Sequence, residues 1–284
     1  MLALSDTADA TFSGTIAGVG LSLSKAGANT VWVADQLARH AGVASRDVGY
    51  SGLKDRHAVT KQWFSVRRPS GEGTVWDTVD IDGVTLLEQH RHQRKLKRGA
   101  HRGNAFRIAL RGDTIDAHHD ELVERVEAMA VSGVPNYFGE QRFGRNGSNL
   151  RTAERLFARP RTRLSRNQRS MALSAARALL FNQVLSQRVG AGCWDRPVGG
   201  DAMQLDGSHS FFIADVVDDE LRLRARELDV HPTGPLCGSG RVPVSGEALA
   251  LEQAALAEFA GMIDGLAAAG VRHDRRALRM RVKD

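Results

Sequence analysis

The hydrophobic periodicity of this 284-residue chain changes character at Gly133, and that change limits the chain to a mixed architecture. Before Gly133 the pattern alternates between the two-residue repeat of strands and the 3.6-residue repeat of helices. Gly18–Lys25 (GVGLSLSK) sets Val19, Leu21 and Leu23 against small or polar neighbours, which predicts a half-buried strand. Asn29 or Thr30 is placed to cap a following helix whose apolar face is Val31, Ala34, Leu37, Ala38 and Ala41. Residues 62–67 and 84–90 read as further strands. In 104–111, Phe106, Ile108 and Leu110 point one way and Arg107 and Arg111 the other, which predicts a strand along the whole segment. A helix carrying Leu122, Val123, Val126, Met129 and Ala130 follows, closed by Gly133. Beyond it, 135–149 is rich in glycine, asparagine and aromatics and reads as a structured loop. Three helical stretches near 149–157, 170–189 and 247–269 come next, with irregular or short-strand sequence over 191–245. The expected fold is α+β: a sheet-containing domain over 1–132 and a mainly helical domain over 133–280.

No run approaches 18 apolar residues, so a membrane-spanning helix is not expected. The leader MLALSDTADATFSG has neither a basic residue nor an apolar core, so a secretory signal is not expected either. Cys193 and Cys237 are the only cysteines, 44 positions apart and outside any CxxC pair. That excludes a disulfide framework and a cysteine zinc site and points to a reducing cytoplasm. His90/His92 and the His118–His119 pair are the close histidines, and their spacing is weak for a metal site, so no metal is expected. No heptad seam is left over, so a monomer with no obligate protein partner is expected.

Charge is more informative. The chain carries a net +6, and 33 of its 39 basic residues are arginine. Between His90 and Ser170 there are 18 Lys plus Arg against 8 Asp plus Glu, a balance of +10, so the remainder sums to −4. Within that stretch, 90–103 holds six basic residues and no acid, and 142–169 holds nine arginines against Glu154 alone. A face this basic suits a polyanion, and the planar guanidinium fork matches phosphate. No bulky apolar face accompanies the charges, which favours nucleic acid over a membrane surface.

Residues 50–66 read YSGLKDRHAVTKQWFSV. Ser51 and Gly52 predict a turn, and Asp55 then lies between Lys54 and Arg56 ahead of a return strand starting near Thr60. A carboxylate flanked by cations is expected to be ionised at neutral pH. It then serves as a nucleophile, a base or a ligand, or simply as a turn cap or a surface ion pair. The residues alone leave these alternatives open.

Four segments carry a resemblance. GLKDRHAVTKQWF (52–64), KLKRGAHRGNAF (95–106), VPNYFGEQRFGRNGSNL (134–150) and SAARALLFNQVLSQR (174–188) resemble, in order, the TruD family of tRNA pseudouridine synthases. The likeness runs with gaps from about Gly20 to Met280. It implies a pseudouridine synthase-like catalytic domain, its sheet mixed or antiparallel, with a helical TRUD insertion domain. It also implies isomerisation of uridine in the tRNA D-stem, at position 13, without a cofactor. By the same resemblance Asp55 is the nucleophile. Phe106 stacks on the target base, and Asn104 holds the catalytic loop or the nucleotide. Lys54, Arg56, Arg91, Lys95, Lys97 and Arg98 become candidates for RNA contacts. So do Tyr137, Phe138, Gln141, Arg142 and Arg145, expected at the hinge between the domains.

The chain departs from the family at both ends. A PEDF motif with an accompanying lysine, expected upstream of residues 19–25, has no match. The return strand and helix expected after the insertion domain should begin near Arg281-Val282-Lys283-Asp284, the last residues of the sequence. The lysine beside the aspartate is thus expected to lack a counterpart. A catalytically impaired, tRNA-binding relative is the second expectation.

Overall fold

The computed structural model describes residues 3–6, 18–67, 75–92, 94–97, 99 and 104–282. The chain divides into two compact units, Met1–Ala117 and His118–Asp284.

The first unit is a six-stranded sheet with one helix, α1, on a face. Its strands are β1 (Ala3–Asp6), β2 (Gly18–Lys25), β3 (Val48–Tyr50), β4 (Val59–Arg67), β5 (Val84–His92) and β6 (Asn104–Arg107). They run in the order β5-β2-β4-β1-β6, with β3 also pairing β4. β1 lies parallel to β4 and the other pairs are antiparallel. Because β2 has a neighbour on each side and α1 over one face, it is buried along most of its length rather than on one face. Leu21, Ser22 and Leu23 are all 1% exposed or less.

Helix α1 (Thr30–His40) starts where the Asn29 side chain accepts the Val31 amide, a standard N-cap. Its buried face is Thr30, Val33, Ala34, Leu37 and Ala38, continued by Ala41. These pack on Leu21, Leu23, Phe64 and Val66 of the sheet. The expected face was wrong at one position: Val31 is exposed and Val33 takes its place. Thr30 turns inward to hydrogen-bond to Gln62. Val31, about 100° further round the helix, is carried to the rim.

The strand expected over 104–111 ends at Arg107. β6 pairs only with β1, from Ala3↔Arg107 to Asp6↔Asn104. A strand persists only where a partner supplies its hydrogen bonds, and β1 has four residues. Phe106, within the strand, and Ile108 and Leu110, beyond it, are all exposed rather than packed. Short helix α2 (Asp113–Ala117) ends the unit.

The second unit opens with α3 (His119–Ser132), which Gly133 closes with φ of 73°. The stripe Val123, Val126 and Met129 exists as expected, but it is exposed and the helix has no buried residue. β7 (Val134–Pro135) pairs with β12 (Arg279–Met280), joining the two ends of the unit. Helices α4 (Ser148–Ala158), α5 (Arg166–Gly190), α7 (Gly246–Leu256) and α8 (Ala260–Ala268) match the three helical stretches, with α7 and α8 separated by one 3-10 turn. A capping box between Ser165 and Gln168 starts α5.

The 191–245 segment holds the expected short strands and, beyond expectation, a helix. It contributes β8 (Asp201–Leu205), β9 (Phe211–Ala214), helix α6 (Asp219–Arg226) and β10 (Val230–Leu236). With β11 (Asp274–Ala277) the strands form a sheet ordered β11-β10-β8-β9. Two prolines and a glycine in β10 (VHPTGPL) argue against a strand locally. The ladder explains them: Val230–Pro232 pairs only with β8, and Thr233–Leu236 only with β11. Each half of β10 thus behaves as an edge, where a missing amide hydrogen is tolerated.

Polar groups buried in this unit are closely paired. His231 Nε2 lies 3.0 Å from Asp206 Oδ1, and Arg279 Nε donates to His231 Nδ1 at 3.1 Å. A neutral imidazole satisfies both contacts, whereas a second ring proton would oppose the Arg279 N–H. Burial lowers the His231 pKa, Asp206 pulls it back, and Arg279 lowers it further. Burial, then Arg275 and Arg177, likewise lower His273. In the unfolded chain both titrate near 6.5, so on acidification unfolding takes up protons. The stability these histidines contribute is complete above about pH 6.5 and lost as pH falls below it. Thermal melts from pH 7.5 to 5 should show a falling midpoint, with a shallower fall in His231→Gln.

Candidate active site

Asp55 is exposed on the loop joining β3 to β4, and the loop is held through its main chain at Gly52, Lys54 and Asp55. The Gln62 amide donates to Gly52 O at 2.5 Å, and Thr30 Oγ1 donates to Gln62 Oε1 at 3.1 Å. The Lys54 amide in turn donates to Thr30 Oγ1 at 3.1 Å. Arg56 Nε reaches Gly27 O at 3.0 Å. The Asp55 carboxylate accepts the His57 amide through Oδ1 at 2.9 Å, so the turn-cap role is real. The surface ion pair is not: among the described residues no cation lies within 4.0 Å of that carboxylate. The flanking cations turn elsewhere, Arg56 to Gly27 and Lys54 Nζ to Asn104 Oδ1 at 2.5 Å.

Sequence reasoning missed Lys25. It is 1% exposed, and its ammonium donates to Ala28 O at 2.9 Å and to the main-chain oxygen of Asp55 at 3.2 Å. This lysine ends β2 and is not the one expected upstream of residues 19–25; it stands behind the Asp55 main chain. Burial lowers the Lys25 pKa, the Asp55 carboxylate opposes that, and Lys54 adds to the lowering. One signal was available: Lys25 continues the inward parity of Val19, Leu21 and Leu23, an unusual place for an unpaired cation. Thr30 and Gln62 were missed too, since each reads locally as an ordinary helix-start or strand residue.

Sheet register sets the rest of the geometry. Lys25 pairs with Thr60, Thr60 with Leu4, and Leu4 with Phe106. Lys25, Thr60 and Phe106 thus share a row on one face, spanning about 14 Å at roughly 4.8 Å per strand. Asn104 lies two residues from Phe106 on that same face. Lys54, the residue before Asp55, is brought to Asn104, and exposed Phe106 lies two residues further along the same strand.

The basic segment after β5 folds back over β3. Gly99 N donates to Ser51 O at 2.6 Å, and Leu96 N to Ser65 Oγ at 2.8 Å. A Cβ on Gly49 would sit 2.4 Å from Leu96 O, so the segment lies directly on that strand. Lys95 bonds to Arg46 O and, with Arg67, Arg94 and Asp47, lines a small cleft of about 170 Å³. Arg91 and Lys97 are exposed. Arg98 lies outside the described residues.

The remaining candidates belong to the second unit. Tyr137, Gln141 and Arg145 are exposed. Phe138 is half-buried and held at both main-chain groups by the Asn182 amide, each bond 2.9 Å. Its ring meets Phe181 edge-on, and two guanidinium groups lie over it, Arg276 at 4.2 Å and Arg142 at 5.2 Å. Arg276 also donates to Asn136 Oδ1 at 2.6 Å. Nothing in the local sequence separates Arg276 from its arginine neighbours; only its place in β11 sets it on the ring.

Among the described residues no group of three or more His, Cys, Asp or Glu side chains is placed to hold a metal ion. Both cysteines are free and buried, and burial pushes the Cys237 thiol up to about 11. No described helix is long and apolar enough to cross a membrane.

The first unit is thus a mixed sheet with one helix on its face and a clamped carboxylate loop at its end. The fold is shared with a solved structure titled as a putative tRNA pseudouridine synthase D from Methanosarcina mazei. The two superpose with a TM-score of 0.71 at 18% identity, over 98% of this chain and 82% of that one. The family model described as tRNA pseudouridine synthase D (TruD) matches residues 5–156 and 148–284. A tRNA pseudouridine synthase D of Methylococcus capsulatus is 50% identical over 264 residues, covering 93% of this chain and 74% of the relative. Its counterpart in Nitrosococcus oceani is 47% identical, covering 94% and 74%. The chain belongs to the TruD family.

Proposed function

We propose that this chain isomerises uridine to pseudouridine in the D-stem of tRNA, at position 13, with Asp55 as the nucleophile. One observation carries the reading: an exposed carboxylate, free of ion pairs among the described residues, on a loop pinned through its main chain next to Asn104 and Phe106. Pinning fixes the nucleophile without spending its oxygens, so positional entropy is removed before the substrate arrives.

In this reading the target uridine leaves its stack, at a cost of a few kcal/mol, and Phe106 offsets part of that by stacking. The carboxylate attacks the nucleoside, at C6 of the base or C1′ of the ribose. The N1–C1′ bond breaks, the uracil turns, and C5 bonds to C1′. C5 then loses its proton, N1 gains one and the carboxylate is regenerated. Product and substrate are isomers, so the balance requires no oxidant, reductant or cofactor. Lys25 acts as a positioning residue, tying the Asp55 main chain to the β2–α1 loop. The basic residues Arg91, Lys95 and Lys97, with Arg142 and Arg145 of the second unit, contact phosphates. The chain works as a monomer in the cytoplasm.

The test is a pseudouridine-specific adduct that stops reverse transcription, applied to unmodified tRNA after incubation with the chain. A new stop at the D-stem uridine is expected. Bound tRNA without a stop overturns the enzymatic reading and leaves an RNA-binding protein.

A further inference from the structure

An open cleft of about 400 Å³ lies against the catalytic loop, lined by residues 26–29 of the β2–α1 loop together with Trp32, Arg56 and Asp82. Its frame is preformed. The Ala26 amide donates to Gly83 O at 2.8 Å, and Arg56 Nε is committed to Gly27 O. Gly83 has φ of 68°, and a Cβ there would come 2.4 Å from Ala26 O, so the turn before β5 closes tightly on the β2–α1 loop.

The lining is unusual for a surface depression. Trp32, in the first turn of α1, leaves 42% of its surface exposed although the opposite helix face is packed. Arg56 and Asp82 are both exposed and do not pair with each other within 4.0 Å. Beyond the bond to Gly27, the Arg56 guanidinium has no partner among the described residues. One site thus offers a wide aromatic face, a donor fork and an acceptor carboxylate. A nucleobase is complementary to all three, with a π-face for the indole and both donors and acceptors at its edge. Arg56 directly follows Asp55, so the cleft borders the loop that carries the carboxylate and is open to the same RNA.

We propose that this cleft binds a nucleobase neighbouring the target uridine, stacked on Trp32 and read at its edge by Arg56 and Asp82. The inference rests on the RNA reaction proposed for Asp55 and makes Trp32 an affinity-determining residue, with the reading of the base left to Arg56 and Asp82. Stacking contributes about 1–3 kcal/mol per base, roughly 5- to 150-fold in affinity.

The experiment measures the Kd of D-stem-loop RNAs, intact or abasic at either neighbour of the target, together with product formation. Trp32→Ala should weaken the intact RNA about tenfold or more, and Trp32→Phe should restore most of that. One of the two abasic RNAs should bind the unaltered chain equally weakly, and Trp32→Ala should weaken that RNA no further, as for coupled partners. Equal affinity for intact and abasic RNAs overturns the cleft, as do losses that multiply. A chain that binds and distinguishes these RNAs but forms no product instead defeats the catalytic reading and leaves the cleft standing. A chain that binds none of them defeats both.

Discussion

Asp55→Asn should reduce pseudouridine formation on the order of 10⁴-fold or more, the scale seen when an enzyme loses its nucleophile. Affinity for tRNA should stay within about twofold. The substitution keeps the shape of the side chain, and its amide oxygen still accepts the His57 N–H that Asp55 Oδ1 accepts at 2.9 Å. The clamps from Gln62, Thr30 and Lys25 act on main-chain atoms of residues 52, 54 and 55, so the loop keeps its course. Only the nucleophilic oxygen is lost. Single-turnover assays with enzyme in excess separate chemistry from binding. Residual activity above about a hundredth of the starting rate would mean that another group attacks.

Asp201→Asn should destabilise the second unit by about 3–5 kcal/mol, the cost of breaking a buried ion pair from one side. Arg188 and Asp201 are 1% exposed or less and meet through two parallel bonds, Nη1–Oδ1 at 2.7 Å and Nη2–Oδ2 at 2.8 Å. Asp201 Oδ2 also accepts the Val198 amide at 2.9 Å. Arg188 further donates to the Cys193 and Arg196 carbonyls, tying the end of α5 to the chain leading into β8. An amide leaves the guanidinium charged, dry and without its counter-ion. Calorimetry should show the midpoint falling by roughly 10 °C. Arg188→Met combined with Asp201→Leu should recover much of the loss, because no unpaired charge then remains.

Legibility in the sequence differed by element for a definite reason. β2, α1 and α5 were readable because their apolar spacing, and for α1 the Asn29 cap, are local. β10 was not: His231-Pro232-Thr233-Gly234-Pro235 lacks strand chemistry, and its order comes from β8 along one half and β11 along the other. β6 failed in the opposite direction. Phe106, Ile108 and Leu110 alternate cleanly, yet the strand stops at Arg107 where β1 runs out. Periodicity reports which way side chains would point; it carries no information on whether a partner strand exists.

The candidate site divides along the same line. Its sequence alone determined the family, the α+β class, the aspartate at a loop tip and the concentration of positive charge, because motifs and composition survive without coordinates. Only the tertiary structure decided that Lys25 stands behind Asp55, that Thr30 and Gln62 clamp the loop, that Lys54 turns to Asn104, and that Trp32 borders an open cleft. Those relations join residues 10 to 50 positions apart through strand register and helix rotation. A hydrogen bond depends on the distance between its atoms, and separation along the chain does not determine that distance.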